Sequence, residues 1–215
     1  MQDLPNKAII EAHFLPGLQY LSKFLLYEQV CIDGGEFYQK RSFRNRSLLN
    51  SPNGLLTLSV PLTKGKNSQN PMHQVQVAYQ DDWARKTCRA IQSSFGKSAF
   101  FLHYFDELES IILRQHSSLL NLNVSLIEFL LASFQIDCQI EIAQHYHDQK
   151  ALDSDTKDLR NTILLKQPLP DPNFEEKSYP QVFESKTGFL PRSSALELLF
   201  TQGPQGIFHL QSCIN

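Results

Sequence analysis

Apolar positions along this chain follow two periods, and the change between them separates an opening rich in strands from a later run of helices. KAIIEAHF, residues 7–14, carries a short apolar run that predicts a central strand. In the following LPGLQYLSKFLLYEQ, Leu18, Leu21, Leu25 and Leu26 recur at helical spacing. Leu15-Pro16-Gly17 forms the turn between them, with proline at or near the first helical turn. QVCID, residues 29–33, predicts a second strand, stopped by Gly34-Gly35. Strand, short turn, helix, strand is the βαβ unit of a parallel sheet.

Looser alternation predicts extended structure over residues 37–46, 55–62 and 73–79, with Val75, Val77 and Tyr79 on one face. Asn53-Gly54 is a hairpin signal, and residues 63–71 read as a polar loop. Helical spacing returns after Asp81. Asp81 or Asp82 caps a helix running to about residue 95, ended by Gly96, and further helices are expected over 99–115 and 119–133. QIEIA, residues 139–143, is a candidate strand, 155–165 a helix, and 193–200 a short helix closed by Gly203-Pro204. The class is α/β: a single domain over 1–215 with an N-terminal βαβ unit, a mixed sheet and a largely helical second half.

With 215 residues, 41% of them hydrophobic, the chain is large enough for one core without disulfides or a structural metal. The formal net charge of -2 argues against nucleic acid as the main partner, while leaving room for a small anionic ligand held by a local basic patch. The opening MQDLPNKAII does not read as a signal peptide, and the greasiest stretch, LIEFLLASF, contains Glu128 and is too short for a membrane span. No membrane insertion is expected. Cys31, Cys88, Cys138 and Cys213 are scattered without a zinc spacing, which predicts reduced thiols and a cytoplasmic protein.

The densest charge lies in QKRSFRNRS, where Lys40, Arg41, Arg44 and Arg46 fall within seven residues. On an extended strand Lys40, Arg44 and Arg46 would share one face and could grip a phosphate or carboxylate through forked contacts. Equally, such a row is the solvated face of an edge strand. His13 and Asp33 both follow predicted strands, at the sheet edge where open α/β folds bind ligands. His13 can serve there as a general base, and Asp33 as its orienting carboxylate or as a turn cap. His145 and His147 lack a third ligand, so no protein-bound metal is expected, and no cofactor is identified. Asp158 and Arg160 are placed on different sides of the helix expected over 155–165. Tyr179, Phe183 and Phe189 are expected to cover the core, and Gln181 to reach a ligand.

Taken together, AIIEAHFLPGLQYL, QKRSFRNRS with GLLTLSVPL, AIQSSFGKSAFF, YPQVF, GFLPRSSALELLF and TQGP resemble the WbqC-like family over nearly the full length. The resemblance implies a role in O-antigen or other surface-polysaccharide synthesis, through sugar or nucleotide-sugar modification that can include acyl or aminoacyl transfer. It also implies a site built from the FLPG turn, the basic segment with Lys40, Arg44, Asn45 and Arg46, and the segment holding Tyr179 and Gln181. Two positions depart from the family pattern: Ala12-His13, where a polar pair is common, and Glu197, where aspartate is common.

The expected function is a transferase acting on a phosphorylated or nucleotide-linked sugar, its partner a small anionic molecule such as a nucleotide sugar or acyl donor. His13 and Asp33 would act on the attacking group and the basic residues would hold the anion. The alternatives are a non-catalytic protein that recognises an anionic ligand or partner, and a hydrolase, for which no nucleophile elbow is present.

Overall fold

Ala8, Ile9 and Ile10 are almost wholly inaccessible because the strand that carries them lies inside a parallel sheet. The computed structural model describes residues 5–166 and 168–215. In it Lys7–Ile10 forms β1, and Leu18–Leu26 forms α1, whose Leu18, Tyr20, Leu21 and Phe24 turn inward. Gln29–Asp33 forms β2, in register with β1 through Ile9–Cys31 and Ile10–Ile32. The expected βαβ unit is therefore present.

Arg46–Ser51 (β3) and Gly54–Ser59 (β4) make an antiparallel hairpin whose two-residue turn is Pro52-Asn53, one residue before the expected position, with Gly54 paired to Ser51 at φ 98°, a conformation natural to glycine. Trp83–Phe95 (α2), Phe101–Leu113 (α3) and Leu119–Ser133 (α4) follow close to their expected bounds. Helix α4 is buried on nearly every side, as its leucine-rich sequence dictates. Gln139–Ala143 (β5) then pairs with β2, and Thr156–Asp158 (β6) pairs with β1, both parallel. The sheet order is β5-β2-β1-β6. Successive strands thus build outward on one side of β1 before β6 joins the other, so the sheet has a switch point between β1 and β6. Glu184–Thr187 (α5), Leu196–Gln202 (α6) and Gly206–Ser212 (α7) complete the chain. The architecture is α/β, with parallel and antiparallel strand pairs and helices predominating from Trp83 onward.

Four expectations are corrected. Residues 37–45 form turns and only Arg46 is in a strand, because Arg41 sits at φ 59° and Phe43 lends its carbonyl to the Phe14 amide at 2.8 Å. Residues 73–79 do not run as a strand. Met72–Gln74 is a 3-10 turn, the Val75 carbonyl receives the Leu119 amide at 2.7 Å, and Val77 makes only an isolated bridge to Leu62. Residues 155–165 are not helical: the free edge of β1 recruits them as β6, and the Leu159 amide continues the ladder to the Ile9 carbonyl at 2.8 Å. Finally, Gly203 closes α6 as expected, at φ 62°, but α6 is not the last helix, since α7 follows with Gly206 packed against Phe134 and Leu198.

Candidate functional site

Loops at the carboxyl ends of β1, β2 and β6 bring a cluster of charged side chains to the switch point. Glu11 follows β1, Glu36 follows β2, and Arg160 and Asn161 follow β6. Arg44 enters from the loop before β3. Its guanidinium forks onto Glu36, Nε to Oε1 at 2.7 Å and Nη2 to Oε2 at 2.6 Å. Nη2 also donates to Asn161 Oδ1 at 2.8 Å, while Nη1 lies 3.9 Å from Glu11 Oε1. Glu11 in turn accepts the Asn161 amide at 3.0 Å and contacts His13 Nε2 at 3.1 Å. Asn123, inside α4, pins the arrangement by donating to the carbonyls of Ala12 and Arg44.

A second ion-pair group adjoins the first. Asp33 spends one oxygen on the amides of Gly35 and Glu36, and its other oxygen accepts Arg160 Nη1 at 2.6 Å. Arg160 also forks onto Asp158, at 2.9 and 2.8 Å, and donates to the His147 carbonyl. Tyr146 lies against the guanidinium, 5.1 Å from carbon to ring centroid. Gly35 is required for this approach: a Cβ there would come within 2.1 Å of the backbone of His145 and Tyr146.

Four carboxylates, Glu11, Asp33, Glu36 and Asp158, therefore face two guanidiniums, Arg44 and Arg160. A buried excess of negative charge is relieved when one carboxyl retains a proton. Glu36 is shifted in that direction. Burial pushes its pKa up to about 7, with Glu11 and Asp33 adding to the rise and the Arg44 contacts opposing it. Burial would likewise raise Glu11, but its hydrogen bond to His13 and the nearby positive charge leave it below the usual carboxylate range. For Arg44, burial is outweighed by the Glu36 bonds and the Glu11 charge, and its pKa is raised. His13 moves down because burial outweighs its contact with Glu11. Because a carboxylate only accepts, Nε2 carries the proton donated to Glu11.

This network opens on a cleft of about 530 Å³ lined by Glu36, Phe37, Gln39, Tyr146, Asp158, Arg160 and Asn161 among others. Carboxylates, a guanidinium, amides and two half-exposed or better aromatic rings suit a polar, hydroxyl-rich ligand. Among the described residues no group of three or more His, Cys, Asp or Glu is arranged to hold a metal ion. No helix among them is long and apolar enough to cross a membrane.

The residues expected from the sequence divide among three places. His13 and Arg44 meet at Glu11, and Asp33 holds Arg160, so all three belong to the cluster behind the cleft. None of them lines it. His13 is instead stacked on Tyr20 at 4.5 Å and borders a void of about 20 Å³, room for about one water. Lys40, Asn45 and Arg46 line a separate depression. Tyr179 and Gln181 reach neither. Tyr179 is buried with its hydroxyl 3.5 Å from Ser193 Oγ, and the Gln181 amide clamps the backbone of Leu190 at both ends, 2.9 and 2.8 Å. The FLPG turn is packed under β3, with the Leu15 carbonyl accepting Ser47 Oγ. Glu197 is a buried tie between Asn50 and the Val182 amide.

Glu11, Glu36, Asp158, Arg160 and Asn161 were not singled out by sequence reasoning as site residues. A helical reading of 155–165 put Asp158 and Arg160 on different sides, whereas two residues apart in an extended chain they share one. Asn161, at φ 60°, occupies the left-handed region that asparagine tolerates, and DLRN is a turn signal of that kind.

Residues 11–165 match the WbqC-like protein family. The chain is also 25% identical over 232 aligned positions to the uncharacterized protein Rv1507c of Mycobacterium tuberculosis, covering 96% of this chain and 97% of that protein. No solved structure matches it significantly.

Proposed function

This chain belongs to the WbqC-like protein family, and from that premise we propose a transferase acting on a phosphorylated or nucleotide-linked sugar in polysaccharide-related biosynthesis. The observation that supports it is Glu36, a carboxyl with a pKa of about 7 that lines the cleft at the switch point and is backed by Arg44. A group that is half protonated near neutrality both takes and returns protons efficiently. In this reading the sugar lies in the cleft, where Asp158, Arg160 and Asn161 meet its hydroxyls and Tyr146 or Phe37 faces the ring. Glu36 removes the proton from the attacking hydroxyl or amine as that atom bonds to the acyl or aminoacyl carbon; the bond from that carbon to the donor's carrier then breaks, and the carrier leaves with the electron pair and takes the proton back from Glu36. His13 and Asp33 act as positioning residues, through Glu11 and Arg160.

The test is a turnover assay on nucleotide sugars with acyl and aminoacyl donors, products being read by mass spectrometry. Glu36→Gln is expected to lower turnover about a hundredfold or more while leaving sugar affinity within a few fold. Turnover within twofold of wild type would remove Glu36 from the chemistry.

A further inference from the structure

Residues 36–41 form a wall between two depressions. Glu36, Phe37 and Gln39 line the cleft, whereas Tyr38, Lys40 and Arg41 line a second hollow of about 410 Å³, closed by Asn45, Arg46 and Asn67. We propose that this second hollow is a diphosphate subsite. The inference rests on the reading of the substrate as phosphorylated for the class of its ligand.

The charge of the hollow is one-sided. Lys40, Arg41 and Arg46 line it and, among the described residues, no carboxylate does. Among the described residues none of these three cations makes an ion pair. Lys64 and Lys66 lie exposed in the loop just before Asn67, adding positive charge to a protein whose net charge is -2. Cations crowded together without counter-ions repel one another, and a bound dianion removes that repulsion. Arg46 Nε, itself buried, has no hydrogen-bond partner among the described residues, so the donors of this guanidinium are not all committed within the fold. The wall itself is fixed. Asn45 accepts the Tyr38 hydroxyl at 2.9 Å and donates to the Val60 carbonyl at 3.0 Å, while Arg41 holds a left-handed φ of 59° at the rim. Arg44, by contrast, turns away into its pair with Glu36 and takes no part. A nucleotide-linked sugar lying across the wall would place its diphosphate in the hollow and its sugar in the cleft.

The experiment is a calorimetric titration of the full-length protein with inorganic pyrophosphate in phosphate-free buffer. Wild type is expected to bind one equivalent saturably, more weakly as salt is raised. Arg46→Ala should weaken binding about tenfold or more, and Lys40→Ala, at an exposed position with no fold role, should weaken it severalfold. Glu36→Gln, across the wall, should bind like wild type. No saturable binding, or binding unchanged in both Arg46→Ala and Lys40→Ala, overturns the subsite. Pyrophosphate binding that persists when no sugar is turned over would sink the transferase reading and leave the subsite standing.

Discussion

Replacing Arg44 by methionine keeps most of the aliphatic stem and deletes the charge that faces Glu36 and Glu11. The Arg44 side chain is 2% exposed and the Glu36 side chain 5%, so water cannot take over the lost contacts. Two charge-assisted bonds to Glu36 and a third to Asn161 disappear together. Breaking a buried ion pair by removing one partner costs about 3–5 kcal/mol, because the other charge is left uncompensated. For a chain of this length each kcal/mol lowers Tm by about 2–4 °C, which gives a fall of about 6–20 °C. The loss should depend on pH. Glu36 already has a raised pKa, about 7 against an ordinary 4.5, and without Arg44 it is pushed higher. A carboxyl raised in the folded state contributes stability that is complete below its unfolded pKa and is lost as pH rises through the folded one. The variant should therefore be closer to wild type at pH 5.5 than at pH 8. Thermal melts at both values, for Arg44→Met, Glu36→Gln and the pair combined, measure this. The double variant should recover part of the loss, since it no longer buries an unpaired charge. An Arg44→Met protein melting within about 1 °C of wild type at pH 8 would refute the reasoning, as would a double variant no more stable than Arg44→Met.

Three further outcomes follow from the same geometry. Glu36→Gln alone should flatten the decline of stability between about pH 4.5 and pH 7, the window set by its shift, as read from denaturant midpoints across that range. Gly35→Ala would set a Cβ 2.1 Å from the His145-Tyr146 backbone, and should force that backbone away and loosen Tyr146 over Arg160. It should lower Tm and weaken ligand binding in the cleft together, and an unchanged melting curve would contradict it. Gln181→Leu should destabilise by about 1–3 kcal/mol through loss of the Leu190 clamp yet leave the affinity of any cleft or hollow ligand unchanged; a selective loss of affinity at constant Tm would return Gln181 to the site.

Much of the fold was legible because local pattern and tertiary context agreed. The apolar run in β1, the leucine spacing of α1 and the Gly34-Gly35 stop each describe an element buried as its sequence asks. The site was less legible, because its residues lie where context overrides pattern. TKD, residues 156–158, has no apolar alternation and becomes a strand only because β1 offers an open edge. The basic segment looked like a charged strand, yet Arg44 alone turns inward, drawn by Glu36 and Glu11, carboxylates that sequence separation cannot associate with it. His13 and Asp33 were placed correctly at the sheet edge, but neither faces the cleft, and Gln181 bonds backbone. Family resemblance identified the chain more readily than it assigned roles to residues, since of the residues that line the cleft only Gln39 lies within the motifs that carry it.

The measurement closest to the central claim is a thermal-shift screen of the wild-type protein against nucleotide sugars, free nucleotides, coenzyme A and simple phosphates, with and without magnesium. The account predicts a saturable rise in Tm with a nucleotide sugar that exceeds the rise with its free nucleotide, because the sugar adds contacts in the cleft beside Glu36, Asp158 and Arg160. No shift with any member of the panel, or equal shifts with nucleotide and nucleotide sugar, would contradict a sugar site in that cleft.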